Sequence, residues 1–163
     1  MHTDNKLIMK IAIETGLRIG DILELRIGDL RNNRRIKLHE HKTGKVKYIR
    51  IPAKLKSEIM ATRVYYNEDG YYCFPHRISP QTRHRTRGAV NKDILRVISQ
   101  MGIKPRISPH SARKGYAVEL YAKTGSLKAV QDALNHSHID TTVLYALSDK
   151  LQEKKDGNEW ESA

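Results

Sequence analysis

The stretch Thr15-Gly-Leu-Arg-Ile-Gly-Asp-Ile-Leu-Glu-Leu25 separates two helical patterns and determines how the N-terminal part of the chain folds. Gly16 is typical of a helix end, because glycine readily adopts the left-handed conformation found there. Arg18 follows near the start of the next helix, and Asp21, three residues on, could orient its guanidinium. Taken alone, the pair fits an ordinary surface ion pair equally well, and such a pair contributes little stability.

The apolar spacing on both sides of this stretch predicts a mainly α domain with one small antiparallel β-hairpin, an α+β fold. A first helix starts at Thr3 or Asp4, which can cap it, and a second ends near Gly28. The other predicted elements are strands Arg35–Leu38 and Val46–Ile51, a short strand Tyr71–Phe74 within a loop, and helices Lys54–Tyr65, Ala89–Met101, Ser108–Lys123, Leu127–Leu134 and Asp140–Leu147.

Ser108-Pro-His-Ser-Ala-Arg113 has the features of a helix start, with Ser108 as the cap and proline at the first helical position. His110 and Arg113 then lie on one face, beside the free N–H groups of the first turn. Arginine can bind a phosphate with two parallel hydrogen bonds, and histidine can exchange a proton near neutral pH. The pair predicts a phosphate site, although two basic residues on a solvated face remain the alternative.

The hairpin tip Glu40-His-Lys-Thr-Gly-Lys45 places two lysines on a short turn. Lys42 could lean over a backbone and donate a proton to a departing oxygen, and Lys45 could contact a phosphate. Turn lysines are common, so a purely electrostatic contact of Lys42 with phosphates is the simpler alternative.

The C-terminal stretch Leu134-Asn-His-Ser-His-Ile-Asp-Thr-Thr-Val-Leu-Tyr145 brings a histidine, His136, close before a helical tyrosine. A tyrosine is an unusual nucleophile, because its pKa near ~10 leaves it protonated at neutral pH. Arginine charges nearby would favour its phenolate as that forms. The alternative is that Tyr145 is a half-buried core residue. The chain contains seven other tyrosines, so the residue type alone is no evidence for a nucleophile.

A formal net charge of +12 over 163 residues favours a polyanionic partner, and nucleic acid is the commonest. Segment His76–Arg106 holds eight Lys and Arg against one Asp, including Arg83, Arg85 and Arg87 at alternating positions. This pattern predicts a stripe contacting DNA phosphates, and a merely solvated loop is the alternative. The sequence shows neither a signal peptide nor a membrane-spanning run, and the lone Cys73 suits a reducing interior, so we expect a cytoplasmic protein. A zinc site built from histidines and Cys73 is a weak alternative, because no Cys-x-x-Cys pattern accompanies them.

Arg18, Lys42, His110-x-x-Arg113, His136 and Tyr145 together resemble, in order and spacing, the active site of the tyrosine recombinases, or phage integrase family. The motifs that carry the resemblance are TGLRIGDILEL, with Asp21 at the usual acidic position, HSARKGYAVEL and LNHSHIDTTVLY. The resemblance implies the DNA breaking-rejoining fold for a catalytic domain at residues 1–147. We expect residues 148–163 to form a tail that is partly disordered or docked on a partner, and the family's N-terminal DNA-clamping domain to be absent.

The resemblance further implies a site-specific recombinase that cleaves and rejoins double-stranded DNA through a 3′-phosphotyrosine at Tyr145. No metal, ATP or other cofactor is expected, because the phosphotyrosine keeps the energy of the broken bond. The implied partners are DNA and copies of the chain itself, tetrameric on paired sites and monomeric in isolation. The alternatives are a type IB topoisomerase, which has similar chemistry, and a DNA-binding module of the same fold that does no chemistry.

Overall fold

The computed structural model describes residues 3–32, 35–39, 44, 46–63, 68–102 and 108–134. Within these ranges the chain is mostly helical and has one two-stranded antiparallel sheet, as predicted. The elements are α1 (Thr3–Thr15), α2 (Ile19–Leu23), α3 (Ile27–Asn32), β1 (Ile36–His39), β2 (Val46–Ile49), α4 (Ala53–Ala61), α5 (Arg87–Gln100), α6 (Pro109–Thr124) and α7 (Leu127–Leu134).

Helix α1 has the predicted apolar face, and Ile8, Ile11 and Ala12 on that face are fully buried. The helix ends where expected, since Gly16 has a φ of 63° and its N–H donates to the carbonyl of Ala12 at 3.0 Å. This single bond, spanning four residues, is the hydrogen bond of a left-handed C-terminal cap.

The prediction of one continuous helix up to Gly28 is wrong, because α2 ends at Leu23 and α3 begins at Ile27. The intervening backbone pairs with a distant segment. Leu25 accepts a hydrogen bond from Cys73 N at 2.7 Å, and Ile27 N donates to Tyr71 O at 2.9 Å. The predicted strand Tyr71–Phe74 is therefore only an isolated bridge in the described structure, in which Tyr72 pairs with Arg26.

The hairpin forms as expected, although both strands are slightly displaced or shorter than predicted. Ile36 pairs with Ile49 and His39 with Val46, which places the turn between residues 39 and 46. Ile36 and Ile49 are buried, whereas Tyr48 is exposed. One face of the hairpin thus joins the core, as the alternation of side chains requires.

The later helices agree with the sequence pattern within a few residues. Helix α4 ends at Ala61, four residues before the predicted end at Tyr65, a residue that lies outside the described ranges. Helix α5 begins at Arg87 rather than Ala89, because the Thr86 hydroxyl caps it by accepting from Ala89 N at 3.1 Å. The predicted helix Asp140–Leu147 also lies outside the described residues.

The chain divides into two compact units, Met1–Arg113 and Lys114–Ala163. The first unit contains the main core, and Phe74 is the largest fully buried side chain described there. The second contains a small apolar cluster that includes Val130 and Leu134. Among the helices that the structure describes, none is long and apolar enough to cross a membrane.

Candidate active site

The turn between α1 and α2 positions the first candidate residue, Arg18. The Thr15 hydroxyl donates to the carbonyl of Ile11 at 2.7 Å and accepts from the N–H of Leu17 at 3.3 Å. Thr15 and Leu17 are both buried, so these bonds are shielded from water. The turn is thereby held on both sides of Gly16, and the chain leaves it directly at Arg18.

Arg18 is the residue that caps the N-terminus of α2, with an extended backbone at φ −70° and ψ 145°. Its carbonyl accepts the first helical hydrogen bond, from Ile22 N at 3.0 Å, and its side chain is half-buried. Asp21 lies in the first turn of the same helix and is only 4% exposed. The predicted orienting contact between Asp21 and Arg18 remains a prediction.

Helix α6 positions the second candidate pair, His110 and Arg113. Ser108 caps this helix as predicted, because its hydroxyl accepts from Ser111 N at 3.2 Å. His110 is exposed in the first turn, whereas Arg113 is only 5% exposed. Nη1 of Arg113 donates to the carbonyl of Gly16, which fixes the guanidinium at the turn between α1 and α2.

The structure brings Arg113 to the chain segment that carries Arg18, although the two residues lie far apart in the sequence. Arg113 contacts the backbone of Gly16, and Arg18 follows Gly16 by two residues. Two Cα steps of about 3.8 Å place the Cα atoms of Gly16 and Arg18 within about 8 Å of each other. Two guanidinium groups that converge here would be able to bind the oxygens of a single phosphate, and the convergence of the Arg18 side chain with Arg113 remains a prediction.

Four predicted site residues, Lys42, Lys45, His136 and Tyr145, lie outside the described residues. Strands β1 and β2 flank the sequence segment that contains the two lysines. Gly44 in that segment has a φ of 66°, in the left-handed region that favours glycine. The positions of the two lysines, of His136 and of Tyr145 relative to the arginines remain predictions.

The predicted stripe of alternating arginines is not uniform. Arg83 and Arg87 are exposed. The Arg85 side chain is only 14% exposed, and its guanidinium forms ion pairs with Asp93 at 3.0 Å and Asp4 at 3.5 Å. The charge of Arg85 is thus paired with two carboxylates of the protein, which makes Arg83 and Arg87 the better candidates for phosphate contacts.

The carboxylates that bind Arg85 belong to a network that also includes Arg63. Arg63 is 7% exposed, donates from Nε to the Cys73 carbonyl at 2.6 Å and forms an ion pair with Asp4. Burial tends to raise the pKa of Asp93, but hydrogen bonds from Asn5 and Arg85 outweigh it, so that its pKa is lowered. The sequence pattern missed this network, since nothing local links its members.

The zinc alternative gains no support from the described part of the chain. Those residues contain no group of three or more His, Cys, Asp or Glu side chains that could hold a metal ion. Burial also raises the pKa of the Cys73 thiol, which favours its neutral form, whereas a metal ligand is a thiolate.

Residues 1–152 match the sequence profile of the phage integrase family. The tyrosine recombinase XerD of Rhizobium meliloti (strain 1021) is 28% identical over 145 residues, which cover 85% of this chain and 45% of XerD. The probable integrase/recombinase YoeC of Bacillus subtilis (strain 168) is 31% identical over 137 residues, which cover 82% of this chain and 72% of YoeC.

Among solved structures, the chain is similar to the XerH site-specific recombinase bound to palindromic difH substrate in a post-cleavage complex. The TM-score is 0.71 at 26% identity, and the match covers 98% of this chain and 46% of the XerH chain. A lambda integrase (75–356) dimer bound to a COC′ core site shares the fold, with a TM-score of 0.61 at 22% identity. The chain spans about half the length of the Xer relatives that it matches.

Proposed function

Because the chain belongs to the phage integrase family, we propose that it is the catalytic domain of a site-specific tyrosine recombinase that cuts and rejoins double-stranded DNA. The observation that carries this proposal is the contact of the Arg113 guanidinium with the Gly16 carbonyl, two residues before Arg18. It supports a pocket where two fixed positive charges surround one phosphate of the DNA backbone.

In the proposed reaction the Tyr145 oxygen attacks a backbone phosphorus in line with the departing 5′-oxygen. The phosphorus gains a bond to Tyr145 and loses its bond to the 5′-oxygen, while extra negative charge collects on the non-bridging oxygens. Arg18 and Arg113 neutralise that charge, and charge stabilisation of this kind is usually the largest contribution to catalysis. The arginines need no reorganisation if their positions are fixed before DNA binds.

The proton transfers are assigned to the remaining members of the site. Lys42 protonates the departing 5′-oxygen, His110 accepts the Tyr145 proton, and His136 donates a hydrogen bond to the phosphate. His110 suits its role because it is exposed at the start of α6, where an incoming phosphate and phenol can reach it. Attack by a second 5′-hydroxyl on the phosphotyrosine reverses these transfers and seals the new strand, so the reaction requires neither a metal nor ATP.

The rest of the positive surface supplies affinity for DNA. Arg83 and Arg87 are exposed, and together with Lys45 they are assigned to phosphate contacts that add affinity without selecting a sequence. We expect a cytoplasmic protein that is monomeric alone and assembles as a tetramer on paired DNA sites. The similar XerH structure is bound to its difH substrate and the lambda integrase dimer to a COC′ core site, which supports this choice of partner.

A covalent trapping experiment tests the proposal. Sheared genomic DNA of the source strain is incubated with the protein, the reaction is stopped with detergent, and protein-linked DNA is recovered and sequenced. A nicked substrate built from the recovered site then releases a short fragment on cleavage, so that the adduct accumulates. We expect a band of retarded protein that Tyr145→Phe abolishes and that Tyr48→Phe retains, since Tyr48 is an exposed hairpin residue.

The two alternatives predict other results of the same experiment. If the wild type binds the recovered DNA without forming an adduct, the chain is a binding module and the proposed chemistry is wrong. If the adduct forms but the only product on supercoiled plasmid is relaxed DNA, with no strand exchange between paired sites, the chain is a topoisomerase. The recombinase reading requires both the adduct and the exchange.

A further inference from the structure

Four hydrogen bonds hold the turn Thr15-Gly16-Leu17. Gly16 N donates to Ala12 O, and Leu17 N donates to the Thr15 hydroxyl, which itself donates to Ile11 O. The Gly16 carbonyl accepts from Arg113. Two side chains take part in these four bonds, those of Thr15 and Arg113, and of the two only Thr15 belongs to the turn.

The same turn occurs a second time in the chain, at the end of α6. Gly125 has a φ of 64°, and its N–H donates to Tyr121 O at 2.7 Å. The Thr124 hydroxyl donates to Leu120 O at 2.8 Å and accepts from Ser126 N at 3.3 Å. These bonds match those of the Thr15 turn, both in the positions that they join and, within a few tenths of an ångström, in length.

The two turns differ in their surroundings. Thr124 and Gly125 are exposed, whereas Thr15 is 6% exposed and Gly16 is buried. The carbonyl of Gly16 also carries the guanidinium of Arg113. The turn forms without burial, as the second copy shows, so burial and the Arg113 contact are what distinguish the copy at Thr15.

We propose that Thr15 is a positioning residue: its hydroxyl fixes the turn so that the Gly16 carbonyl holds the Arg113 guanidinium beside Arg18. The inference rests on the proposed recombinase function for its catalytic consequence, although the contact itself does not. Without the hydroxyl, Leu17 N–H loses its acceptor in a buried place, and the peptide between Gly16 and Leu17 loses one of the two contacts described for it. Because that peptide contains the Gly16 carbonyl, any rotation of it moves the acceptor away from Arg113.

The test compares Thr15→Val, Thr15→Ser and Thr124→Val in single-turnover cleavage at saturating protein, together with the dissociation constant for the same DNA. We expect Thr15→Val to cut about tenfold or more slowly, because small displacements of catalytic groups are costly. Thr15→Ser keeps the hydroxyl and should cut at nearly the wild-type rate, as should Thr124→Val. The dissociation constant should change less than twofold in all three. Equal slowing by Thr15→Val and Thr124→Val, or none by Thr15→Val, overturns the proposal.

A second measurement needs no catalysis and no stable Thr15→Val protein. In ¹⁵N-arginine spectra, with the Arg113 signal assigned by Arg113→Lys, rotation about its Cζ–Nη bonds reports how firmly the guanidinium is held. We expect restricted rotation in the wild type and in Thr15→Ser, and faster rotation in Thr15→Val if that variant folds. Free rotation in the wild type overturns the positioning role. A wild type that restricts Arg113 yet forms no DNA adduct refutes the proposed function and leaves the positioning intact.

Discussion

Replacement of Arg85 by methionine separates stability from DNA binding, because methionine keeps the apolar part of the side chain and removes the charge. Arg85 makes one good charged hydrogen bond, to Asp93 at 3.0 Å, and one longer contact, to Asp4 at 3.5 Å. Both carboxylates keep other partners, Asp4 through Arg63 and Asp93 through Asn5. We therefore expect Arg85→Met to cost about 2 kcal/mol, within the range for a hydrogen bond to a charged group.

In a chain of 163 residues that loss corresponds to a melting temperature lower by about 4–8 °C. The matched controls are Arg83→Met and Arg87→Met, since both side chains are exposed. Each should leave the melting temperature nearly unchanged but reduce the slope of log affinity for DNA against log salt by about one unit per lost phosphate contact. The assays are thermal unfolding and DNA titration at several salt concentrations. An Arg85→Met protein with wild-type stability and a reduced salt slope would refute this division of roles.

Two further predictions concern stability alone. Burial tends to raise the pKa of Asp93, but hydrogen bonds from Asn5 and Arg85 lower it below the ordinary aspartate value. The charged carboxylate therefore stabilises the fold fully at any pH above the ordinary aspartate pKa. This contribution is lost as the pH falls through the lowered pKa. The difference in urea-unfolding free energy between wild type and Asp93→Asn should therefore be full at pH 7 and shrink below about pH 4, and a constant difference would contradict this. Gly115→Ala should stabilise α6 by about 0.5–1 kcal/mol, because nothing lies within 4 Å of the added Cβ. Gly28→Ala should destabilise the fold, because the added Cβ would lie 3.0 Å from the side chain of Asp69. Urea midpoints that shift in the same direction for both glycine variants would contradict the second prediction.

Local patterns were sufficient for most of the fold. The apolar spacing of α1, the glycine after it and the Ser108 cap each act within a few residues, so the sequence predicted α1, α6 and the hairpin correctly. The break between α2 and α3 could not be predicted in this way, because Leu25 and Ile27 are both buried and continue the apolar pattern through it. Hydrogen bonds from a segment more than forty residues away decide the backbone there.

In the candidate site, too, local motifs could be read from the sequence, whereas contacts between distant segments could not. Arg18 and Arg113 were identifiable because their motifs carry a known resemblance, and the structure brings Arg113 to the turn that precedes Arg18. The role of Thr15 left no signal in its own motif beyond a helix end. The sequence contains three Thr-Gly pairs, at Thr15, Thr43 and Thr124, and the likeness of the Thr15 and Thr124 turns becomes informative only once the hydrogen bonds of both are known. The ion pairs of Arg85 could not be predicted either, because its alternation with Arg83 and Arg87 says nothing of carboxylates distant in the sequence.

The most direct test of the central claim is to locate the covalent bond between protein and DNA. After trapping, nuclease and trypsin digestion should leave a nucleotide on the peptide of residues 129–150, whose single tyrosine is Tyr145. Fragmentation in the mass spectrometer then identifies the modified residue. We predict a 3′-phosphonucleotide on Tyr145 in the wild type, and the same adduct at a much lower yield when Arg113 is replaced by alanine. A nucleotide on any other residue, or DNA cut with no nucleotide left on the protein, would contradict the account.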